Sequence, residues 1–156
     1  MIRNRDIQFR SESDIKAFQE ERMCETLAYV AENSQYYKEL FKANGIDVTS
    51  VRTLEDLQKI PVTTKEDLQV RNSDFLCVHP DDVIDYVTTS GTLGDPVTFA
   101  LTENDLQRLS YNEASSFLMA GLDRHDIIQL MTTIDRRFMA GLAYFMGARK
   151  LGCGIV

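Results

Sequence analysis

The sequence predicts an α/β protein in which an N-terminal helical subdomain, residues 1–73, precedes an incomplete α/β subdomain, residues 74–156. Helix-initiating Ser and Thr residues recur through roughly the first seventy positions, before any segment has clear strand character. A glycine-containing loop then lies between two segments rich in β-branched residues, and apolar segments alternate with helical ones after it. This order predicts a helical part followed by a β-α-β-α-β part.

The first two helices are marked at both ends. Ser11 and Asp14 have capping-box spacing, and the segment from there to about residue 32 contains neither Gly nor Pro. A second helix is predicted from about Ser34 to a stop at Asn44-Gly45. It carries an aliphatic and aromatic group that we expect to pack in the core, namely Tyr36, Tyr37, Leu40 and Phe41.

Two shorter helices follow. Thr53 with Asp56 predicts a short helix that must end before Pro61, because a residue that precedes proline is pushed out of the helical region. Thr63 with Glu66 has the same spacing and predicts the start of the next helix. The subdomain boundary is therefore expected near residues 71–74.

The second part begins with two strands, 83–87 and 97–101, on either side of the glycine loop. Thr102 and Asp105 then predict a helix that runs toward Gly121. The next segment, 127–131, is nearly all apolar, as is typical of a parallel strand covered on both faces.

A further helix is predicted over 137–148, and 153–156 resembles another strand. An apolar strand in this order needs sheet neighbours and covering helices, and few residues remain to supply them. We therefore expect the chain to be a fragment of a longer enzyme or a truncated gene product.

Composition excludes several classes of protein. The chain has 156 residues, of which 44% are hydrophobic and 26% charged, as in ordinary globular domains. A formal net charge of −7 without a Lys/Arg cluster argues against nucleic acid and anionic membranes as partners. No apolar run is long enough for a membrane span, and the polar start lacks a signal-peptide core, so we expect a cytoplasmic location.

The three cysteines do not indicate a disulfide framework, because they are odd in number and far apart. Cys77 and His79 could supply two metal ligands, but zinc needs three or four. No metal site is predicted.

The loop between the first two strands is the strongest functional signal. Thr88, Thr89, Ser90 and Thr92 accompany Gly91 and Gly94, so hydroxyl and amide donors are available to an anion such as phosphate. From these residues alone, a plain hairpin turn remains equally acceptable. A Walker loop is excluded because no Lys-Ser or Lys-Thr pair follows the last glycine, and a dinucleotide fingerprint is excluded because it needs three glycines.

The segment Thr89-Ser90-Gly91-Thr92-Leu93-Gly94-Asp95-Pro96 resembles the phosphate loop of adenylate-forming enzymes, the superfamily of acyl-coenzyme A synthetases. Residues 37–41 and 54–68 are similar to the N-terminal region of phenylacetate-coenzyme A ligases, and 138–152 resembles that family's glycine-containing helix with its following turn. The three matches occur in the family's order and cover nearly the whole chain.

This resemblance implies the first part of the large domain of an ATP-dependent acid-coenzyme A ligase, which adenylates a carboxylate and then forms a thioester. It implies ATP, magnesium and coenzyme A as cofactors or substrates, together with a small carboxylic acid. The residues that it assigns to the ATP phosphates are Thr89, Ser90, Gly91, Thr92 and Gly94. Catalytic residues are expected in downstream sequence, so the chain alone is expected to be inactive.

Two positions differ from the family loop: Leu93 replaces a Thr, and Asp95 replaces a Lys. Lys65, at a predicted helix start, has two interpretations. It is either a solvated first-turn lysine or a partner of the phosphate loop that restores the positive charge missing at position 95.

An alternative function belongs to another class. A truncated, non-catalytic interaction module would pair with another chain through its unfinished sheet edge, in the simplest case as a homodimer.

Overall fold

A computed structural model describes residues 7–89, 95–134 and 138–156 of the chain. Contacts divide the chain into two units, Met1–His79 and Pro80–Val156, which we call unit 1 and unit 2. The division lies six residues beyond the boundary expected from the sequence. The segment after residue 73 belongs to unit 1 because the Ser34 hydroxyl donates to the Asp74 carbonyl oxygen (2.9 Å) and the Phe75 ring stacks on Tyr36 (4.0 Å between ring centroids).

Unit 1 is built from helices. Helix α1 spans Glu12–Asn33, α2 spans Gln35–Ala43, and α3 spans Lys65–Val70. Short 3-10 helices complete the unit and lie at Ile7–Phe9, Val48–Ser50, Leu54–Lys59 and Asn72–Phe75. The first two predicted helices are confirmed, and the one predicted after Thr53 forms as a 3-10 helix.

The predicted start of α3 was wrong by one residue. Its cap is Thr64, whose hydroxyl oxygen accepts from the Asp67 amide (3.1 Å) while the Asp67 carboxylate accepts from the Thr64 amide (2.8 Å). The residue before it, Thr63, is also a threonine, but the Thr63 hydroxyl is hydrogen-bonded to the Tyr37 hydroxyl (3.1 Å). A contact from another helix therefore decides which threonine caps α3.

Asp56 stabilises the start of the 3-10 helix Leu54–Lys59. Its carboxylate accepts from Lys59 Nζ (2.7 Å) and from the amides of Arg52 and Thr53 (3.0 Å each). These bonds, the one from Lys59 first, hold the pKa of Asp56 far below its ordinary value.

Asp56→Asn is therefore expected to lower the melting temperature of the chain at pH 7. A depressed folded-state pKa contributes stability above the unfolded pKa, about 3.9, and this contribution is lost as the pH falls through the folded pKa. The difference in melting temperature between the two proteins should consequently become smaller in thermal melts recorded at successively lower pH below about 4. A difference in melting temperature that stays constant from pH 7 downward would contradict this role for the carboxylate.

Unit 2 begins with a hairpin. Strand β1, Asp85–Thr88, pairs antiparallel with β2, Thr98–Leu101, in a register that joins Asp85 to Leu101 and Thr88 to Thr98. Val87 and Val97 are 1% and 3% exposed, so they anchor the hairpin in the core of the unit. The 3-10 helix Pro80–Asp82 precedes it.

Two longer helices alternate with two short strands after the hairpin. Helix α4, Glu103–Met119, has the predicted capping box of Thr102 and Asp105. Strand β3, Ile127–Ile128, pairs in parallel with β4, Gly154–Ile155, and α5, Met139–Leu151, connects them. The predicted β-α-β-α-β order is confirmed.

Two of these elements differ from their predictions. Regular β3 is two residues long instead of five, and Ile127 and Met131 are 72% and 89% exposed, so the described residues leave one face of the strand uncovered. Helix α5 continues to residue 151 because Gly152 adopts φ 90° and ends it there. The Cys153 amide donates to the Ala148 carbonyl oxygen (3.1 Å), which is the C-terminal hydrogen bond of a Schellman motif.

Small residues allow α4 and α5 to pack closely. Ser110 and Ala114 of α4 are buried, as are Ala143, Gly147 and Ala148 of α5. The Ser110 hydroxyl donates to the Met146 carbonyl oxygen (3.1 Å), so the helices also share a polar contact. This packing is the main support of unit 2.

Candidate functional site

The base of the glycine loop is closed by two hydrogen bonds. The Thr89 amide donates to the Val97 carbonyl oxygen (3.0 Å), and the Val97 amide donates to Thr89 Oγ1 (3.0 Å). Thr89 is half-buried immediately after β1, and Val97 is buried immediately before β2. Both ends of the loop are thus attached to the core of unit 2.

Of the five residues predicted to bind phosphate, Thr89 lies in the described part of the chain. Ser90, Gly91, Thr92 and Gly94 lie outside the described residues, as does Leu93. A threonine hydroxyl has one donor and two acceptor positions, so the bond from Val97 leaves the Thr89 hydroxyl its own proton to donate. Asp95 is exposed in a bend that leads into Pro96.

The structure brings one further residue to the base of the loop. Thr88 forms a parallel bridge with Phe138, the residue that precedes α5. The start of α5 therefore lies beside the end of β1, although fifty positions separate Thr88 from Phe138 in sequence. Sequence reasoning missed this neighbour because no local pattern predicts a bridge between residues so far apart.

Lys65 is the first residue of α3 and is exposed. It belongs to unit 1, whereas the loop belongs to unit 2. Its role at the loop stays a prediction.

Two of the cysteines, Cys77 and Cys153, have thiols whose pKa is raised by burial. Cys153 donates from Sγ to the Asp123 carbonyl oxygen (3.0 Å), and burial raises the pKa of this thiol, with Asp126 and Asp123 adding to the effect. Burial also raises the pKa of Cys77. Since the thiolate is the nucleophilic and metal-binding form, neither position favours that chemistry. Within residues 7–89, 95–134 and 138–156, no three His, Cys, Asp or Glu side chains gather into a potential metal site.

None of the helices in the described ranges combines the length and the apolar composition that a membrane span requires.

Comparison with solved structures identifies the class of fold. An open conformation of 2-hydroxyisobutyryl-CoA ligase in complex with 2-HIB-AMP and CoA superposes with a TM-score of 0.83 at 19% identity, over 92% of this chain and 34% of that one. The same ligase in its thioesterification state gives a TM-score of 0.85 at 20% identity, over 94% of this chain and 32% of that one. The fold is that of the first part of an adenylate-forming CoA ligase.

Curated sequences narrow this class. The chain is 32% identical over 151 residues to the phenylacetate-coenzyme A ligase of Escherichia coli, which is 96% of this chain and 34% of the relative. It is 34% identical over 143 residues to the ligase of the same name from Thermus thermophilus, which is 91% of this chain and 32% of the relative. The region of similarity is the N-terminal portion of these phenylacetate-coenzyme A ligases.

The chain spans about a third of the length of these curated relatives. No protein-family model matches it.

Proposed function

We propose that this chain supplies the N-terminal portion, with the phosphate loop, of an ATP-dependent acid-coenzyme A ligase. In the reaction, a carboxylate oxygen of the acid attacks the α-phosphorus of ATP and the bond to the β-phosphate breaks, which gives an acyl-adenylate and pyrophosphate. The sulfur of coenzyme A then attacks the acyl carbon and AMP leaves. The supporting observation is the similarity to two phenylacetate-coenzyme A ligases at 32% and 34% identity over nearly the whole chain.

The part assigned to these residues is electrostatic. Thr89, Ser90, Gly91, Thr92 and Gly94 would donate hydroxyl and amide hydrogen bonds to the β- and γ-phosphates, which carry the charge that departs with pyrophosphate. The two bonds between Thr89 and Val97 support this assignment, because they hold both ends of the loop in place. Less conformational entropy is then lost when the loop binds phosphate. We place the ligands of magnesium and the catalytic residues in the part of the ligase beyond the region that this chain matches.

The test is pyrophosphate exchange by the longest reading frame that contains this chain, with phenylacetate and a panel of other aryl and short-chain acids. Exchange that depends on an acid is the expected result, and no exchange with any acid would overturn the proposal. The 156-residue chain alone should show no exchange above the buffer blank, because it spans about a third of the relatives' length.

Thr92→Val in the same long protein tests the loop, because it removes a hydroxyl at nearly constant volume. A hydrogen bond to a charged group contributes about 1.5 kcal/mol or more, so the KM for ATP should rise about tenfold while the KM for the acid stays nearly constant. The control is Thr26→Val on the exposed surface of α1, which should change neither constant. Equal effects of the two substitutions would contradict phosphate binding by Thr92.

For Lys65 we propose a contact with the triphosphate that compensates for Asp95. Lys65→Ala should then raise the KM for ATP in the long protein and leave the KM for the acid nearly unchanged. Lys42→Ala, at an exposed position in the last turn of α2, is the matched control. A change in both KM values, or in neither, would show that Lys65 is a solvated lysine.

No observation favours the alternative of a non-catalytic interaction module. For the ligase, we propose a cytoplasmic location, where ATP and coenzyme A are both available.

A further inference from the structure

The turn that ends α2 carries an asparagine followed by a glycine. Asn44 is the C-cap of the helix, and Gly45 has φ 62°, a left-handed conformation that glycine adopts without strain. The Ile46 amide donates to the Phe41 carbonyl oxygen (2.9 Å). The Gly45 amide donates to the Lys42 carbonyl oxygen (3.3 Å), which completes a Schellman motif. The glycine is therefore required here by the conformation of the turn.

This pair of residues is open to solvent. Asn44 and Gly45 are both exposed, and a Cβ atom built on Gly45 would meet no atom within 4 Å. Asparagine is among the thermally labile residues, because the backbone nitrogen that follows it can attack its side-chain amide carbon. A Cβ atom on the following residue hinders this attack, and glycine has none. The residues that suit the end of α2 are thus also those most open to this reaction.

We propose that Asn44 is a site of spontaneous deamidation, in which a carboxylate replaces the side-chain amide. A solvent base removes the Gly45 amide proton, the nitrogen forms a bond to Asn44 Cγ, and the bond from Cγ to Nδ2 breaks. Ammonia leaves and a cyclic succinimide remains. Water then adds to either carbonyl carbon of the ring and opens it, which gives aspartate or isoaspartate at position 44. The reaction needs only water and a solvent base, so it proceeds independently of the proposed ligase activity.

The folded turn sets the rate of this reaction. Asn44 has ψ 3°, so the Gly45 nitrogen is eclipsed with the Asn44 nitrogen and lies away from the side-chain carbon that it must reach. The Asn44 side-chain amide also donates to the Leu40 carbonyl oxygen (2.8 Å), which holds the side chain against the helix. Ring closure consequently requires the last turn of α2 to open. Helix ends open at little cost in free energy, so the turn slows the reaction without preventing it.

The products keep the turn open. A carboxylate at position 44 has no proton to donate to the Leu40 carbonyl oxygen, and it places a negative charge at the C-terminal end of a helix, where the helix dipole disfavours it. Isoaspartate adds a carbon to the main chain at this point, so the hydrogen bond from Ile46 to Phe41 loses its register. Because Phe41 is buried in unit 1, deamidation at the surface weakens the core of this unit.

The experiment follows deamidation of the 156-residue chain during incubation at neutral pH. Trypsin cleaves after Lys42 and Arg52, so the peptide of residues 43–52 contains Asn44 and no other asparagine. Mass spectrometry of this peptide measures the converted fraction against a sample taken before incubation. Isoaspartate is measured separately, through the methyl group that an isoaspartyl methyltransferase transfers to it.

Asn33 is the matched control within the same chain. It ends α1, it is exposed, and its side-chain amide donates to the Tyr29 carbonyl oxygen (2.8 Å), one turn earlier, as in Asn44. The residue that follows it is Ser34, which has a Cβ atom and is buried. Asn44 should convert at least about tenfold faster than Asn33, because only a following glycine leaves the attack unhindered.

A synthetic peptide of residues 43–52 measures the protection that the turn gives, and it should deamidate at least about tenfold faster than the chain. Asn44→Asp reproduces one product and should lower the melting temperature of the chain by about 2 °C or more. Asn104→Asp is its control, because a carboxylate in the first turn of α4 is favourable and should not lower that temperature. Conversion of Asn44 no faster than that of Asn33 would overturn the proposal. Equal rates in peptide and chain, or an Asn44→Asp chain that melts no lower than the unchanged one, would overturn it as well.

Discussion

Gly147→Ala is expected to lower the free energy of unfolding of unit 2 by about 2 kcal/mol. A Cβ atom at this position would clash with Glu113 Cβ and would lie 3.1 Å from the Ala114 amide nitrogen, so α4 and α5 would have to separate. Overpacking of this kind costs up to about 3 kcal/mol, and the better helix propensity of alanine offsets about 1 kcal/mol of that cost. Chemical denaturation of the 156-residue chain, followed by circular dichroism, measures the change.

The double variant Glu113→Gly/Gly147→Ala separates the clash from other effects. Glu113→Gly removes the atom that the new Cβ would meet and should by itself cost about 1 kcal/mol, since glycine is unfavourable within a helix. If the clash is the cause, the double variant loses less stability than the sum of the two single variants. Additive losses, or a Gly147→Ala protein that is more stable than the original, would show that the helix contact is easily relaxed.

Ser34→Ala should destabilise unit 1 by about 3 kcal/mol. Ser34 is 0% exposed and joins α1 to α2, and its hydroxyl accepts from the Tyr37 amide (3.3 Å) while it donates to the Asp74 carbonyl oxygen (2.9 Å). Loss of an N-cap costs about 1 kcal/mol, and removal of the donor from a buried acceptor costs a further 1 to 3 kcal/mol.

Ser11→Ala provides the comparison for this prediction. Ser11 caps α1 through the Asp14 amide (3.2 Å), but it is exposed, and the hydrogen bonds that the described chain gives its hydroxyl are to residues of α1. Its loss should therefore cost about 1 kcal/mol. The denaturation midpoints of the two variants measure how much stability each substitution costs. Equal losses of stability would mean that the hydrogen bond to Asp74 does not stabilise unit 1.

Elements fixed by neighbouring residues could be predicted from the sequence. Thr102 with Asp105, and Thr53 with Asp56, form the expected capping boxes, because both partners lie within one turn of the chain. Thr63 and Thr64 show the limit of this reasoning. Each is followed by an acidic residue three positions later, and the hydrogen bond between Thr63 and distant Tyr37 decides between them.

The remaining differences also depend on non-local contacts. The apolar composition of 127–131 predicted a strand, but composition does not state whether both faces of that strand are covered within one chain. At the candidate site, the sequence located the loop through its glycines and hydroxyls. It did not locate Phe138 beside Thr88, because a bridge between distant residues leaves no local pattern.

The paired hydrogen bonds between Thr89 and Val97 have a consequence for how this protein can evolve. They close the hairpin at Thr89 and Val97, where the loop joins the strands. We therefore expect the strands to keep their register when the side chains of the loop change. Substitutions in the loop can then be selected for their effect on ligand binding alone, because they do not also lower the stability of the fold. Leu93 and Asp95, the two positions that depart from the family pattern, both lie within this segment. Divergence of nucleotide affinity among related genes should accordingly concentrate there, while the valines that hold the strands drift slowly.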